Sequence, residues 1–384
     1  MSVSKLIFPL AVDEFIAQYH ERNFLHVRRD DFEYFRNLYE DLELERNIWC
    51  NSMAWGEISL ARPTASGSDD QYAALAPCGA TIQAALADGY TVVMNNYQNK
   101  SEVIGSFCRD VERFFFARCN VNLYMTPPDC QGLSPHYDDQ DVYVMQLDGS
   151  KKWRLYEGGP GLPTEVQQYF CPETADLSFV EVVLLPGDVL YLPRGFIHEA
   201  KAQSVQSTHL TLSVSAVRLV TFLKELLDRT AETDVELRKA ISHEHLSGVL
   251  APAGREIQVL KNWASSVADV DVRQTFSHFQ DIFLGQTMRL PAAEKISATV
   301  SPTHDDTLLG MAQDQICLIA EMGEYRVLKF IGGQVDLADD LLMAARFVCD
   351  RRSFQVRDLP GELTSAEKIA FAVFLRRLGL LVAV

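Results

Sequence analysis

Two histidines and one aspartate of this chain have the types and the spacing of a mononuclear metal site. His136 and Asp138 are two residues apart, and His198 ends the later segment Pro-Arg-Gly-Phe-Ile-His. Side chains at i and i+2 of an extended segment point the same way, so the first pair can converge on one ion. Two imidazoles and one carboxylate form a facial triad, which leaves coordination positions open for non-heme Fe(II) oxygenase chemistry. The pattern therefore predicts a reaction type as well as a metal.

The region that carries these residues, 119–216, has the periodicity of a sheet. Short apolar or alternating stretches are separated by turns that contain Gly or Pro, such as Asp148-Gly149. We interpret that turn as the end of a hairpin. Short strands at short intervals favour a jelly roll over a parallel sheet. We predict strands over 121–125, 142–147, 152–156, 180–185, 189–192 and 209–214.

The region before the strands, 1–118, has mainly helical spacing. The apolar positions of 101–118 fall on one face of a helix, and the β-branched stretch 91–94 is a short strand candidate. The residues at 67–70 form a polar loop. We therefore expect a mostly helical N-terminal part that joins the strand-rich region in one domain, 1–216.

Helical spacing returns over 217–290, where amphipathic stripes must be buried on the barrel, on each other or on a second subunit. The last segment, 291–384, is interpreted as strand, helix, helix, strand. We predict its first helix over 335–348. A capping box begins the second helix at Thr364–Glu367. This order fits a winged-helix-like domain.

Composition and charge narrow the classes of function. The chain has 384 residues, of which 47% are hydrophobic, and its formal net charge is -17. An acidic protein repels phosphate backbones and attracts basic partners, so the net charge disfavours a nucleic-acid ligand and favours a basic peptide or protein. No apolar run is long enough to span a bilayer, and we find no export signal. The eight cysteines form no CxxC pair, which indicates reduced thiols and a cytoplasmic location.

Four segments of the strand-rich region resemble the JmjC-type ribosomal oxygenases, which are 2-oxoglutarate-dependent protein hydroxylases of the cupin superfamily. The segments are 122–128, 131–139, 146–156 and 186–198. The resemblance implies a mainly β core with α additions: a double-stranded β-helix (jelly roll, JmjC type) within 1–216. It also implies a helical dimerisation region over 217–290 and a C-terminal winged-helix-like domain over 291–384.

The resemblance implies that His136, Asp138 and His198 are the Fe(II) ligands and the catalytic centre. The cosubstrates would be 2-oxoglutarate and O2. A carboxylate at position 138 favours hydroxylation, because related halogenases need a small residue there for chloride.

The resemblance also assigns residues to the 2-oxoglutarate pocket. Lys151 matches the lysine that pairs with the distal carboxylate of 2-oxoglutarate, and a buried carboxylate needs such a partner. Its neighbour Lys152 points to the opposite face, where we expect a solvated side chain. Asn122 and Tyr124 match polar pocket residues, and Ser213 matches a serine beside the cosubstrate or substrate. For Tyr124 and Ser213, ordinary strand residues with satisfied hydroxyls remain an equal alternative.

We therefore predict an Fe(II)- and 2-oxoglutarate-dependent dioxygenase that hydroxylates a side chain of a protein or peptide and forms a homodimer. Three alternatives stay open: a non-catalytic cupin-type scaffold, an N-methyl-lysine demethylase, and a hydroxylase of a peptide natural product. The last follows from residues 19–27, which lack the proline of the family's W-x-x-x-P-L segment.

Several other chemically suggestive residues are assigned no role. The cluster His243-Glu244-His245 has helical surroundings, in which i and i+2 do not face each other. His209 is interpreted as a core or surface histidine, and Cys130 has no activating neighbour in the sequence. Acidic residues offset the basic pairs of the C-terminal segment, which disfavours DNA binding there.

Overall fold

The chain forms two compact units, Met1–Ala216 and Val217–Val384. The computed structural model describes residues 2–40, 42–50, 54, 56–63, 75–164, 173–241, 243–247, 254–267, 272–286, 302–312, 315–322 and 325–384. The polar loop predicted at 67–70 and the domain boundary predicted at 290 lie outside these residues. No helix among them is long and apolar enough to cross a membrane.

The first unit combines short helices with ten strands in its described part. The helices are α1 (Val3–Ile7), α2 (Val12–Gln18), α3 (Arg36–Glu40), α4 (Leu44–Cys50), α5 (Gly79–Ala87) and α6 (Glu102–Phe115), with a 3-10 turn at Tyr97–Asn99. The strands are β1 (Leu25–Val27), β2 (Ile58–Ala61), β3 (Thr91–Met94), β4 (Arg118–Thr126), β5 (Asp141–Asp148), β6 (Lys151–Tyr156), β7 (Phe179–Leu184), β8 (Val189–Leu192), β9 (Ile197–Ala202) and β10 (Ser207–Ser215).

These strands form two sheets that face each other. The larger sheet has the order β1-β8-β5-β10-β4-β3-β2, and the smaller has the order β7-β6-β9. Apolar side chains of both sheets meet in one cluster: Val142, Val144, Leu190 and Leu192 from the larger, and Trp153, Leu155, Val182 and Leu184 from the smaller. The predicted mainly β core with helical additions is confirmed.

The predicted hairpin at Asp148-Gly149 is wrong, although both flanking strands exist. The strand before the turn, β5, pairs with β8 and β10, whereas β6 after it pairs with β7 and β9. The turn therefore carries the chain from one sheet to the other. Gly149 has a φ of +63°, and a Cβ there would lie 1.9 Å from the carbonyl oxygen of Gln206. A local turn signal cannot distinguish a hairpin from such a crossing.

Helix α6 packs the opposite face of the larger sheet. Its N-cap is Ser101, whose hydroxyl accepts a hydrogen bond from the backbone N–H of Ile104. It ends at Phe115, earlier than predicted, because Phe116 adopts a left-handed conformation and Arg118 already begins β4. Its buried face joins the main apolar core with β3, β4, β5 and β10.

The second unit contains helices followed by two small sheets. The helices are α7 (Leu219–Thr233), α8 (His243–Leu246), α9 (Gly254–Val267), α10 (Arg273–Gln286), α11 (Leu342–Asp350) and α12 (Ser365–Arg377), with 3-10 turns at Asp339–Leu341 and Val356–Asp358. The strands are β11 (Leu308–Met311), β12 (Cys317–Met322), β13 (Tyr325–Phe330), β14 (Gly333–Asp336), β15 (Ser353–Gln355) and β16 (Leu381–Ala383). They form the sheets β15-β11-β16 and β12-β13-β14.

The C-terminal segment has more strands than we predicted. The helix predicted over 335–348 is wrong in its first part, because Val335 lies in β14 and the helix α11 begins at Leu342. Gly332, with a φ of +102°, makes the turn that pairs β13 with β14. The capping box at Thr364–Glu367 is confirmed, since each side chain bonds the backbone of the other.

Candidate active site

The first pair of predicted ligands lies in the loop that precedes β5, and the third lies in β9. His136 and His198 form an isolated antiparallel bridge. The N–H of His136 donates to the carbonyl of His198 at 3.0 Å, and the N–H of His198 donates back at 2.8 Å. The carbonyl of Asp138 accepts a hydrogen bond from Gly195, in the turn before β9, at 2.8 Å. The strand β9 was not predicted, and it supplies this pairing.

The three side chains converge. One ligand atom from each of His136, Asp138 and His198 lies within 4.8 Å of the others, and this is the one such group found among the described residues. Nε2 of His198 is 3.8 Å from Oδ2 of Asp138. Neighbouring donors of one ion, each at about 2.1 Å from it, lie about 3 Å apart, so a small closing movement would complete the set.

Backbone carbonyls orient both imidazoles for metal binding. Nδ1 of His136 lies 2.8 Å from the carbonyl oxygen of Ser134, and Nδ1 of His198 lies 2.9 Å from that of Phe196. A carbonyl only accepts hydrogen bonds, so Nδ1 of each ring carries the proton and Nε2 keeps its lone pair. This arrangement is the usual support of a metal-binding histidine. The donor set and its orientation fit a divalent ion such as Fe(II).

Burial keeps His198 in the neutral form that a metal requires. Its side chain is 5% exposed. Burial, and next the neighbouring His136, lower the pKa of His198 to about 4, while Asp138 acts in the opposite direction. Metal ligation needs a deprotonated imidazole nitrogen, so the site is ready to bind an ion at neutral pH.

Lys151 is buried near the proposed metal ligands, with its Nζ 6.0 Å from the centre of the Trp153 ring, which also packs beside His198. Its side chain is 3% exposed, and Nζ donates to the Thr126 hydroxyl at 2.8 Å. Among the described residues, no carboxylate oxygen forms an ion pair with it. Burial alone lowers the pKa of Lys151 to about 7. A buried ammonium without an anion is costly, so the position suits the carboxylate of a ligand.

The predicted polar residues lie side by side on the inner face of β4 and β10. Tyr124 pairs in register with His209, and its ring stacks on the imidazole at 4.7 Å. Asn122 and Ser213 follow on the same face, because alternate residues of a strand share a side. Asn122 accepts a hydrogen bond from the N–H of Asn96, and Ser213 donates to the carbonyl of Asn120.

The sequence analysis missed three residues of this interior. Thr126 holds Lys151, and Trp153 packs its ring 5.8 Å from both His198 and His209. His209, which the sequence analysis interpreted as a core or surface histidine without a role, is buried beside Tyr124 and Trp153. Burial, and next the charge of Lys151, lower its pKa well below the usual range. Alternate residues of a strand share a face. Counting in steps of two from Asn122 along β4, and from Ser213 back along β10, could therefore have identified Thr126 and His209 as residues of this interior.

The other residues set aside in the sequence show no comparable arrangement. His243 begins the short helix α8 and is exposed. Cys130 is a free cysteine in the loop that follows β4. Lys152 is half-buried and pairs with Glu181 at 3.2 Å on the outer side of β6, opposite to Lys151.

Comparisons with known proteins agree with this geometry. Residues 93–222 match the profile of the JmjC domain. Human "Ribosomal oxygenase 1" is 31% identical over 256 residues, which cover 63% of this chain and 39% of that protein. "Bifunctional lysine-specific demethylase and histidyl-hydroxylase NO66" of Culex quinquefasciatus is 30% identical over 297 residues, covering 70% of this chain and 45% of that protein. The chain thus spans less than half the length of these relatives.

A solved structure shares the fold over nearly the whole length. The Escherichia coli ribosomal oxygenase YcfD superposes with a TM-score of 0.53 at 14% identity, covering 98% of both chains. YcfD has also been solved in complex with cobalt and 2-oxoglutarate. The JmjC/cupin fold and the resemblance to ribosomal oxygenases, predicted from four sequence segments, are therefore confirmed.

Proposed function

We propose that this chain, which carries a JmjC domain similar to that of the ribosomal oxygenases, is an Fe(II)- and 2-oxoglutarate-dependent hydroxylase of protein or peptide side chains. One observation supports it above all. The side chains of His136, Asp138 and His198 converge, and the same barrel contains the buried Lys151, which forms no ion pair with a carboxylate among the described residues. A site that binds a metal together with a keto acid needs the three metal ligands and also a cation for the distal carboxylate of that acid.

Different residues of the site would bind the metal and the cosubstrate. Nε2 of His136, Nε2 of His198 and the carboxylate of Asp138 would hold the ion, which leaves positions for 2-oxoglutarate and O2. When bound, Fe(II) with 2-oxoglutarate and O2 would supply the oxidant that replaces a C–H bond by C–OH: one oxygen atom of O2 enters the product, the other enters succinate, and CO2 is released. Lys151 and Thr126 would bind the distal carboxylate of 2-oxoglutarate.

The inner face of β4 and β10 would complete the pocket. Tyr124 and His209 form a stacked wall next to Lys151. Because burial and the charge of Lys151 lower the pKa of His209 well below its usual range, His209 adds no second cation beside Lys151. Asn122 and Ser213 lie further along the same face, where they would line the cosubstrate or substrate.

The substrate we propose is a side chain of a basic protein or peptide. Residues 1–216 carry 29 Asp and Glu against 16 Lys and Arg, whereas residues 217–384 carry 23 against 19. The acidic excess is therefore concentrated on the unit that holds the site, where it would attract a cationic partner and repel nucleic acid. The relatives' names refer to ribosomal oxygenation, histidyl hydroxylation and lysine demethylation.

The second unit would serve assembly. Helices α7 and α9 expose large apolar side chains, with Leu219 at 72% and Leu260 at 60%. Such stripes are typical of a subunit interface, and we infer a homodimer formed through the helical region 217–290. The small sheets and helices that follow are compatible with a winged-helix-like domain. We further propose a cytoplasmic location, because the cysteines of the sequence indicate a reduced protein.

A turnover assay tests the proposal. The protein is incubated with Fe(II), ascorbate and 2-oxoglutarate, alone and with pools of basic peptides, and succinate and peptide masses are measured. We expect succinate to rise with a peptide that gains about 16 Da, the mass of one oxygen atom. Asp138→Ala should abolish both signals, because it removes one of three ligands.

The outcomes separate the alternatives. A loss of about 14 Da from methyl-lysine peptides, the mass of one methylene, would indicate demethylation by the same oxidant. Binding of 2-oxoglutarate without any succinate, with basic peptides and with peptide natural products alike, would indicate a scaffold. Activity that persists in the Asp138→Ala variant would contradict the ligand assignment.

A further inference from the structure

We propose that Asp141 is a positioning residue for the metal site, an inference that rests on the proposed function. Asp141 is the first residue of β5, three positions after Asp138, and its side chain is 4% exposed. It acts through the turn at 193–195, which precedes the strand of His198. The carboxylate would thereby fix the distance between the two ligand-bearing segments.

The carboxylate of Asp141 bonds the turn and the strand before it. Oδ1 accepts a hydrogen bond from the backbone N–H of Arg194 at 2.9 Å and lies 3.5 Å from the Arg194 guanidinium. Oδ2 accepts from the Tyr191 hydroxyl at 3.2 Å. One side chain therefore connects the start of β5 to the end of β8 and to the turn.

The same turn and Phe196, the residue that follows it, contact two of the three ligands. The N–H of Gly195, next to Arg194, donates to the carbonyl of Asp138 at 2.8 Å. The carbonyl of Phe196 accepts from Nδ1 of His198 at 2.9 Å. His136 and His198 are already paired through their backbones. The position of Asp138 relative to them therefore depends on this turn, and the turn depends on Asp141.

The N-terminal segment holds the network from the other side. The N–H of Glu21 donates to the Tyr191 hydroxyl at 2.9 Å, and the Glu21 carboxylate pairs with Arg194. The ring of His20 stacks on Phe115 and Tyr191, and its Nε2 is 3.6 Å from Oδ2 of Asp141. A side chain that is bonded on several sides is rigid, which is what a support of a metal site requires.

The test is metal binding by the full-length protein without turnover. Co²⁺ is titrated into wild type and D141N, with affinity measured by calorimetry and coordination by the visible absorption of bound Co²⁺. Asparagine has the same size as aspartate. One of its two terminal groups is an NH2, however, which cannot accept the hydrogen bond that a carboxylate oxygen accepts from Arg194 or Tyr191 in the wild type. We expect the Co²⁺ Kd to weaken by about tenfold or more, with an altered spectrum, as for other residues that support ligands.

Asp188 offers a matched control. It is 1% exposed and accepts the N–H groups of Arg29 and Leu185 at 2.8 Å and 3.0 Å, in a turn that carries no proposed ligand. D188N should lower the melting temperature and leave the Co²⁺ affinity and spectrum of the folded protein unchanged. Equal metal-binding losses in D141N and D188N would overturn the inference, as would a D141N protein with wild-type Kd and spectrum.

A milder variant decides the question if D141N does not fold. Tyr191→Phe removes only the hydroxyl that bonds Asp141 and Glu21, and we expect its Co²⁺ spectrum to differ from that of wild type. A Y191F spectrum identical to that of wild type would then overturn the inference. Failure of the wild type to bind Co²⁺ would instead contradict the proposed function.

Discussion

Lys151 and Lys152 are adjacent in sequence but differ in burial and in hydrogen-bonding partners. Lys152 faces outward and pairs with Glu181, whereas Lys151 is buried beside Thr126. Burial disfavours the charged amine of Lys151, which is why its pKa falls to about 7. An anionic ligand at Nζ would reverse this shift by stabilising the ammonium.

The affinity for 2-oxoglutarate should therefore depend on pH. Below pH 7 the free protein already carries the charged lysine. Above pH 7 the amine is neutral, so binding must take up a proton, and the affinity should fall by up to about tenfold per pH unit. Calorimetry at pH 8 in buffers of different ionisation enthalpy should detect an uptake of close to one proton.

Two variants check the origin of this dependence. Lys152→Met should retain the affinity and the proton uptake, because that side chain lies on the outer face. Lys151→Met should lose most of the affinity and the uptake. Equal behaviour of the two variants would contradict the assignment of Lys151.

At the residue scale, the sequence was sufficient to predict site residues where a recognisable motif lies in a segment with the spacing of a strand. His136, Asp138 and His198 could be found from their types and spacing, and the structure brings them together. Thr126 and His209 needed the register of β4 against β10, which places Tyr124 opposite His209. Register arises from long-range pairing, and a single segment does not contain it.

At the scale of elements, the turn at 193–195 leads into the strand of His198 and is hydrogen-bonded to the segment that carries Asp138. Gly195 has a φ of +87°, and a Cβ there would lie 2.0 Å from the carbonyl oxygen of Pro160. Only glycine fits without moving this backbone.

Gly195→Ala should therefore destabilise the protein by about 2 kcal/mol or more and weaken Co²⁺ binding, because the turn also donates to Asp138. Thermal unfolding and calorimetry measure the two effects. Gly161→Ala is the control, since a Cβ at Gly161 meets no atom within 4 Å. A Gly195→Ala protein as stable as the Gly161→Ala protein would refute the steric argument.

Strand positions were easier to predict than strand partners. Alternation gave β5 and β6 nearly to the residue, but the turn between them crosses from one sheet to the other. The helix predicted over 335–348 was wrong in its first part for a related reason. Val335 lies in the strand β14, which pairs with β13 across the turn at Gly332, and an apolar residue at this position is compatible with a strand as well as a helix. Period alone does not decide between helix and strand in short segments.

At the scale of the whole molecule, the exposed apolar helices predict self-association. We expect light scattering at micromolar concentration to give the mass of a dimer, twice 43.2 kDa. Leu219→Asp and Leu260→Asp should shift the protein to monomers without unfolding it, because both side chains are already exposed. Met343→Asp, at an exposed position of α11, is the control and should remain dimeric. A strictly monomeric wild type would contradict this prediction.

The acidic excess of the first unit and the proposed metal site of the same unit together predict how the molecule would select its substrate. In the proposed function, the charge of the first unit would attract a basic partner, and the metal site would act on the side chain that reaches it. The same sequence features do not identify the partner, because recognition of one side chain depends on contacts that composition does not record.

Oxygen transfer from O2 tests the central claim most directly. The wild type is incubated with Fe(II), 2-oxoglutarate and its best peptide under ¹⁸O2, and the products are weighed by mass spectrometry. We predict one heavy oxygen in the modified peptide and one in succinate, with neither formed by the Asp138→Ala variant. Peptide and succinate that form without the label, or label that enters equally in the Asp138→Ala variant, would contradict the account.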